Sequence, residues 1–296
     1  SLCHELPEFY EKNIKEQYEN GAVPGMTREP ELPEDLFEKA KACADTAIVT
    51  ICRFSGEGWD RKCEIHEDGY ELWDEEKKQM KLSNEIFENG DFYLTNGEAE
   101  LVKKVKEGFS NVIVVMNVGG MVDTSWFKED DQISSVLMAW QGGMEGGLAA
   151  ADVLCGDVNP SGKLVDTFAA SLEDYPSTEN FHESVYYVDY TEDIYVGYRY
   201  FETLPGAAEK VNYPFGYGLS YTEFQIRVPE PENGSIEKDG KIQIPVQVTN
   251  TGNKAGKEVV QVYYGAPQGK LGKPAKVLGA YGKTRLLRPG ETQLMK

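Results

Sequence analysis

Residues 47–62 read AIVTICRFSGEGWDRK, and this stretch decides the fold class. Its first half, AIVTICR, is a short, near-continuous apolar run followed by a polar loop, the pattern of a strand buried in a parallel sheet. Its second half sets Glu57 between Gly56 and Gly58 directly after that strand. Glycines admit a sharp, closely approached loop, and in open α/β sheets ligands bind outside the carboxyl ends of the strands. A carboxyl there, beside the aromatic Trp59, can be partly desolvated, which raises its pKa toward what a general acid working near neutrality requires. The same local pattern also fits a solvated loop acid with no chemistry.

Working outward, the strand lies in an alternating rhythm. Before it, ELPEFYEKNIKEQYEN reads as an amphipathic helix, and PELPEDLFEKAKACADTA as a second one with Pro at its start and acids in its first turn. After it, TNGEAELVKKVKEGFS (95–110) predicts a helix and NVIVVMNVGG (111–120) a buried strand ending in glycines. ISSVLMAWQ (133–141) predicts a third strand, GGMEGGLAAADVLCG opens a helix at a glycine-rich turn, and NPSGKLVDTFA is irregular. Three such units define an α/β fold with a mostly parallel sheet, and the loops starting near Phe54, Gly119 and Gln141 are where a ligand is expected.

From about Gln225 the pattern changes to short alternating stretches, IQIPVQVTNTG and EVVQVYYGAP, the signature of an antiparallel β-sandwich. About four strands are expected before Lys296, fewer than the roughly seven of a complete sandwich. The expectation is therefore an α/β domain over 1–224, lacking its first strand because the sequence opens on a helix, and the N-terminal part of a sandwich over 225–296. Charge divides the same way: 1–224 carry a net −26 and 225–296 a net +6.

The overall charge of −20 speaks against nucleic acid as a partner, since phosphate binding rests on cationic contacts. There is no signal-peptide pattern and no unbroken apolar run near 20 residues, so no membrane partner is expected. Five cysteines (Cys3, Cys43, Cys52, Cys63, Cys155) form no CxxC pair and sit mostly in apolar stretches, which suggests packed thiols, a reducing compartment and a cytoplasmic location. GGMEGG (142–147) lacks both the P-loop ending and the dinucleotide spacing and reads as a tight turn with helix packing. His4, His66 and His182 are too dispersed for a metal site, so neither a metal nor an organic cofactor is expected. The tyrosine-rich run 186–201 suits either a sugar-binding platform or a packed extended segment, and packing is the expectation.

The chain also contains, in order, DVNPSGKL (157–164), YTEDIYVGYRYF (190–201) and YPFGYGLSYTEF (213–224). With SGEG these motifs closely resemble glycoside hydrolase family 3, and the resemblance extends into a fibronectin type III-like tail at VTNTGNKAGKEVVQVY and LRPGE. It implies an (α/β)6 sandwich with a mostly parallel sheet, followed by a partial fibronectin type III-like β-sandwich. It further implies the chemistry of a retaining β-glucosidase, acting on an oligosaccharide or β-glucoside with Glu57 as general acid/base. Trp59, Arg61, Tyr217 and Ser220 are candidate substrate contacts, with Asp60 and Arg61 a candidate ion pair. Each has a plainer reading: Trp59 as packing, and the stretch 216–221 as an interdomain turn. The family's nucleophile is an Asp of an SDW-type motif on a (β/α)8 barrel, and this sequence holds no SDW triplet. A barrel from the parent polypeptide or another chain is thus an expected partner, and with incomplete sheets a homo-oligomer is another. β-Xylosidase, α-arabinofuranosidase and β-glucan exohydrolase specificities stand beside β-glucosidase, as does a non-catalytic carbohydrate-binding or scaffold role.

Overall fold

The computed structural model describes residues 3–22, 24–55, 81–181, 186–229 and 240–296. They form two compact units, residues 1–146 with 168–191 and residues 147–167 with 192–296.

The first unit opens with helix α1 (Glu5–Glu19) and helix α2 (Glu34–Cys43), as the sequence predicts. Strand β1 (Thr46–Arg53) follows, then helix α3 (Asn96–Gly108), strand β2 (Asn111–Val118), a one-turn helix α4 (Ser125–Lys128) and strand β3 (Ile133–Met138). The three strands form a parallel sheet in the order β1-β2-β3, with Thr46 opposite Asn111 and Arg53 opposite Val118. Parallel strands need a crossover connection, and α3 lies in the one between β1 and β2. β3 ends earlier than the predicted Gln141 because the backbone leaves the strand at Trp140, whose φ is 54°.

Val112, Val114, Met116 and Val118 are fully or almost fully buried along β2, and Val49 and Ile51 along β1. Each such side chain contributes about 1.5–3 kcal/mol. A second cluster, Leu32, Leu36 and Phe37, packs with Leu6, Phe9, Leu101 and Phe109 and ties α1 and α2 to α3. Because strand residues alternate faces, Ile48, Thr50 and Cys52 point away from this core and are exposed. That corrects the expectation of packed thiols: Cys52 and Cys155 both lie at the surface. A cavity of about 590 Å³ runs beside β1 from Thr46 to Arg53, walled by α1 and α2. The unit also includes the two-residue strand β4 (Phe168–Ala169).

The second unit contains helix α5 (Gly146–Cys155), helix α6 (Tyr198–Thr203) and strands β5 (Val211–Tyr213), β6 (Phe224–Arg227), β7 (Val246–Asn250), β8 (Val259–Tyr264), β9 (Val277–Lys283) and β10 (Thr292–Met295). β6, β7 and β10 form one antiparallel sheet in the order β10-β7-β6, and β8 pairs antiparallel with β9. Among the described residues five strands from Phe224 onward replace the expected four: 277–283 and 292–295 contain glycine and isolated polar residues that weaken the alternation. Val246, Val248, Val260 and Leu287 make their core. Asn250 is fully buried within it and has its side chain satisfied on both sides. Its amide nitrogen donates to Lys254 and Leu287 carbonyls at 2.7 and 2.8 Å, and its oxygen accepts from the Thr222 hydroxyl at 2.8 Å.

Two other sequence expectations are corrected. The GGMEGG turn forms, with Gly146 donating to the Gly143 carbonyl, yet no residue of α5 is buried, so the helix-packing part of that reading fails. Tyr186, Tyr187, Val188 and Tyr190 are exposed, contrary to the packed extended segment. Only the end of the run packs, and it does so as helix: the Tyr198 ring stacks on Phe215 at 4.9 Å. β propensity reports packing against neighbours, and without a neighbouring strand it predicts little. Among the described residues no helix is long and apolar enough to cross a membrane.

Candidate functional site

The carboxyl ends of β1 and β2 and the turn after β3 meet at Ser55, Gly119 and Gln141. The Gly119 N–H donates to the Arg53 carbonyl at 3.0 Å, and the Gln141 side-chain amide donates to the Ser55 carbonyl at 3.1 Å. Gly119 is required here: a Cβ at this position would stand 2.8 Å from the Ser55 Cβ and 3.0 Å from its backbone nitrogen. Beside them Trp140 holds a left-handed backbone conformation, a costly one for a bulky residue, and its ring lies 6.2 Å from that of the fully buried Phe168. Strained backbone of this kind clusters at functional sites.

Arg53, the last residue of β1, is almost fully buried. Its guanidinium makes a bidentate pair with Glu98, at 2.7 and 2.6 Å, and donates to the carbonyls of Asp91, Tyr93 and Cys52 at 2.7–2.9 Å. All five guanidinium N–H groups thereby have an acceptor. The guanidinium also lies 4.8 Å from the centroid of the Phe87 ring. Glu98 in turn belongs to the capping box that starts α3: the Thr95 hydroxyl accepts from the Glu98 N–H, and the Glu98 carboxylate accepts from the Thr95 N–H.

Nearby ionisable groups follow their surroundings. Burial is the main cause raising the pKa of Glu29 and of Tyr10, which donates to Glu29 at 2.7 Å. Cys52 lines the cavity beside β1, and partial desolvation by the walls of that cavity raises its thiol, so it is a poor nucleophile where it stands. Among the described residues no group of three or more His, Cys, Asp or Glu side chains converges on one point.

Glu57, Trp59 and Arg61, with the Asp60–Arg61 pairing, lie outside the described residues. Tyr217 and Ser220 are described, in the second unit. There the stretch 216–221 runs alongside 159–164: Leu164 donates to the Tyr217 carbonyl and Gly216 to the Leu164 carbonyl, both at 2.8 Å. The Ser220 hydroxyl donates to the Asn159 side chain at 3.0 Å, which also accepts from the Tyr221 N–H at 2.9 Å. Gly216 has φ 84° and lies against the Gln261 side chain, so no other residue fits this turn without strain. The Tyr217 ring tilts against Tyr213 at 5.1 Å and is partly exposed.

Sequence reading missed Arg53, Glu98 and Trp140. For Arg53 the signal was present, as a charged residue closing an apolar strand. For Glu98 it was the Thr95-x-x-Glu98 spacing. No sequence signal distinguishes the Trp140 conformation.

A parallel α/β sheet with an elaborated carboxyl edge, together with antiparallel β-sheets of a sandwich, defines a two-part class: an α/β domain and a fibronectin type III-like domain. Residues 9–221 match the glycosyl hydrolase family 3 C-terminal domain, and residues 258–296 the fibronectin type III-like domain. The chain belongs to glycosyl hydrolase family 3. Beta-glucosidase A of Butyrivibrio fibrisolvens is 65% identical over 304 residues, covering 99% of this chain and 36% of that protein. A beta-glucosidase of Ruminococcus albus is 41% identical, covering 93% of this chain and 26% of its own length. Among solved structures, a beta-glucosidase from Paenibacillus barengoltzii superposes with a TM-score of 0.83 at 42% identity, over 99% of this chain and 30% of that one. Beta-glucosidase 3B of Thermotoga neapolitana in complex with glucose gives 0.77 at 36%, over 98% and 38%. The chain thus spans about a third or less of the curated relatives named here.

Proposed function

We propose that this chain supplies the general acid/base of a retaining, exo-acting β-glucosidase that removes terminal β-linked glucose from oligosaccharides. In this reading Glu57 protonates the leaving glycosidic oxygen and then, as a carboxylate, activates the water that releases glucose. The nucleophile is an Asp on a (β/α)8 barrel outside this chain. Retaining hydrolysis needs those two carboxyl groups roughly 5–5.5 Å apart, so the active enzyme assembles only when both parts are present. Trp59, Arg61, Tyr217 and Ser220 remain candidate substrate contacts in this proposal, and the domains divide as 1–224 and 225–296.

The observation that carries the reading is a relative named beta-glucosidase at 65% identity across 99% of the chain, with SGEG intact. The convergence of Ser55, Gly119 and Gln141 supports it, because the segment bearing Glu57 leaves the sheet where α/β folds bind their ligands. The test is hydrolysis of p-nitrophenyl β-glucoside by the full-length parent protein and its Glu57→Gln variant. Loss of activity in the variant, partly recovered with azide, is the expected result. Full activity with Gln at position 57 removes the assignment.

A further inference from the structure

We propose that Cys3 and Cys43 form a reversible disulfide when the protein meets a low-molecular-weight disulfide such as oxidised glutathione, and that this bond clamps α1 to α2. The two cysteines are 40 residues apart in sequence, yet the fold brings them together. The Cys3 thiol donates to the Glu5 carboxylate at 3.5 Å and is also hydrogen-bonded to the Cys43 thiol. The packing of the two helices places them so without help from the thiols: Leu6 and Phe9 of α1 lie against the cluster that holds Leu36 and Phe37 of α2. Ala40, one turn before Cys43, and Ala44, next to it, line the same cavity as Cys3. Both sulfurs are within reach of a reagent, since Cys43 is exposed and Cys3 partly so, and neither is already in a disulfide.

Exposure and hydrogen bonding divide the roles. Cys43 is the more accessible, so its thiolate attacks one sulfur of oxidised glutathione: a bond forms to Cys43, the glutathione S–S bond breaks, and one glutathione leaves as its thiolate. Cys3 then releases its proton to solvent, and its thiolate attacks the Cys43 sulfur and displaces the second glutathione. Two protein thiols are oxidised, one glutathione disulfide is reduced to two glutathione thiols, and the two protons lost by the cysteines end on the leaving thiolates. Partial desolvation, with the bonds to Glu5 and Cys43, raises the Cys3 pKa. That suits the second, intramolecular step, where proximity substitutes for reactivity. The consequence falls on α1, which has no buried residue of its own. Besides Leu6 and Phe9 it is held by the Tyr10 bond to Glu29 and by the two bonds of Gln17 to the Arg28 backbone, and an element with so little burial opens at low cost. A covalent bond at its N-terminal end restricts the opened state and keeps this wall of the cavity beside β1 in place.

The test is incubation of the full-length parent protein with oxidised glutathione, alkylation of the remaining thiols, and tryptic digestion without reductant. The expected result is a link between the peptide that ends at Lys12 and the peptide 42–53, lighter than their sum by two hydrogen atoms and split by dithiothreitol. The second peptide also holds Cys52, so the Cys52→Ser variant must keep the link and Cys43→Ser must lose it. Glutathione adducts with no link to Cys3, or a link that survives Cys43→Ser, overturn the assignment and leave the two thiols as neighbours only. Hydrogen exchange reads the clamp separately. The amides of 5–19 are expected to exchange about tenfold or more slowly after oxidation, to recover with dithiothreitol, and to show no such change in Cys43→Ser. Exchange in α1 that oxidation leaves unchanged contradicts the clamp.

Discussion

Arg53 and Asn250 are the buried polar residues on which each unit turns. Arg53→Met leaves the Glu98 carboxylate, which is nearly buried, without its cation, and the loss of one member of a buried pair costs about 3–5 kcal/mol. Chemical denaturation of the purified chain measures it, and a loss below about 1 kcal/mol contradicts the arrangement. Asn250→Ala removes both donors and the acceptor that close the turn 250–254, for an expected cost of about 1–3 kcal/mol. Sequence makes the two residues legible to different degrees. Asn250 sits in the quoted VTNTG turn, where a side chain that satisfies backbone groups is anticipated. The contacts of Arg53 span 40 and 45 residues, to Tyr93 and Glu98, and no local pattern encodes a partner at such a distance.

At the scale of elements, α3 is the best specified. Thr95 and Glu98 cap its start and Lys106, in its last turn, pairs with Asp130 before β3. Thr95→Ala is expected to lower stability by about 1 kcal/mol, read as a shifted denaturation midpoint at unchanged slope. The bond from Lys106 holds the Asp130 carboxyl below its ordinary pKa. A depressed carboxylate adds stability that is present above its unfolded pKa and is lost as pH falls toward the lower, folded value. Stability should therefore decline on acidification below about pH 4, and Asp130→Asn should flatten that part of the profile; an unchanged profile contradicts the pair. The strands of the parallel sheet were legible because their apolar runs are nearly unbroken. The 186–201 run was not, since alternating Tyr and Val mark a strand only when a neighbour is there to pair with it, and α5 shows the same limit: an apolar helix sequence whose residues are not buried.

For the whole molecule, four ordered motifs carried the resemblance to the family, and the change of pattern and charge near 225 gave the order of its two folds. Sequence could not supply the other two thirds of a protein like its relatives. Surface that such a remainder would cover is visible: Ile48 is half exposed on β1, Met144 and Leu148 are exposed at and before α5, and Tyr186 and Tyr190 lie almost bare. Isolated, the chain is expected to self-associate with rising concentration, and Ile48→Lys to reduce this without lowering stability, because exposed apolar patches drive association. Analytical ultracentrifugation decides it, and a monomer at all concentrations contradicts the expectation.

The most direct test of the central claim is hydrolysis of p-nitrophenyl β-glucoside by the isolated chain, by the full-length parent protein, and by the parent with Glu57→Gln. The account predicts activity in the parent alone, lost in the variant and partly recovered with azide. Undiminished activity in the variant would contradict it and place the catalytic acid elsewhere.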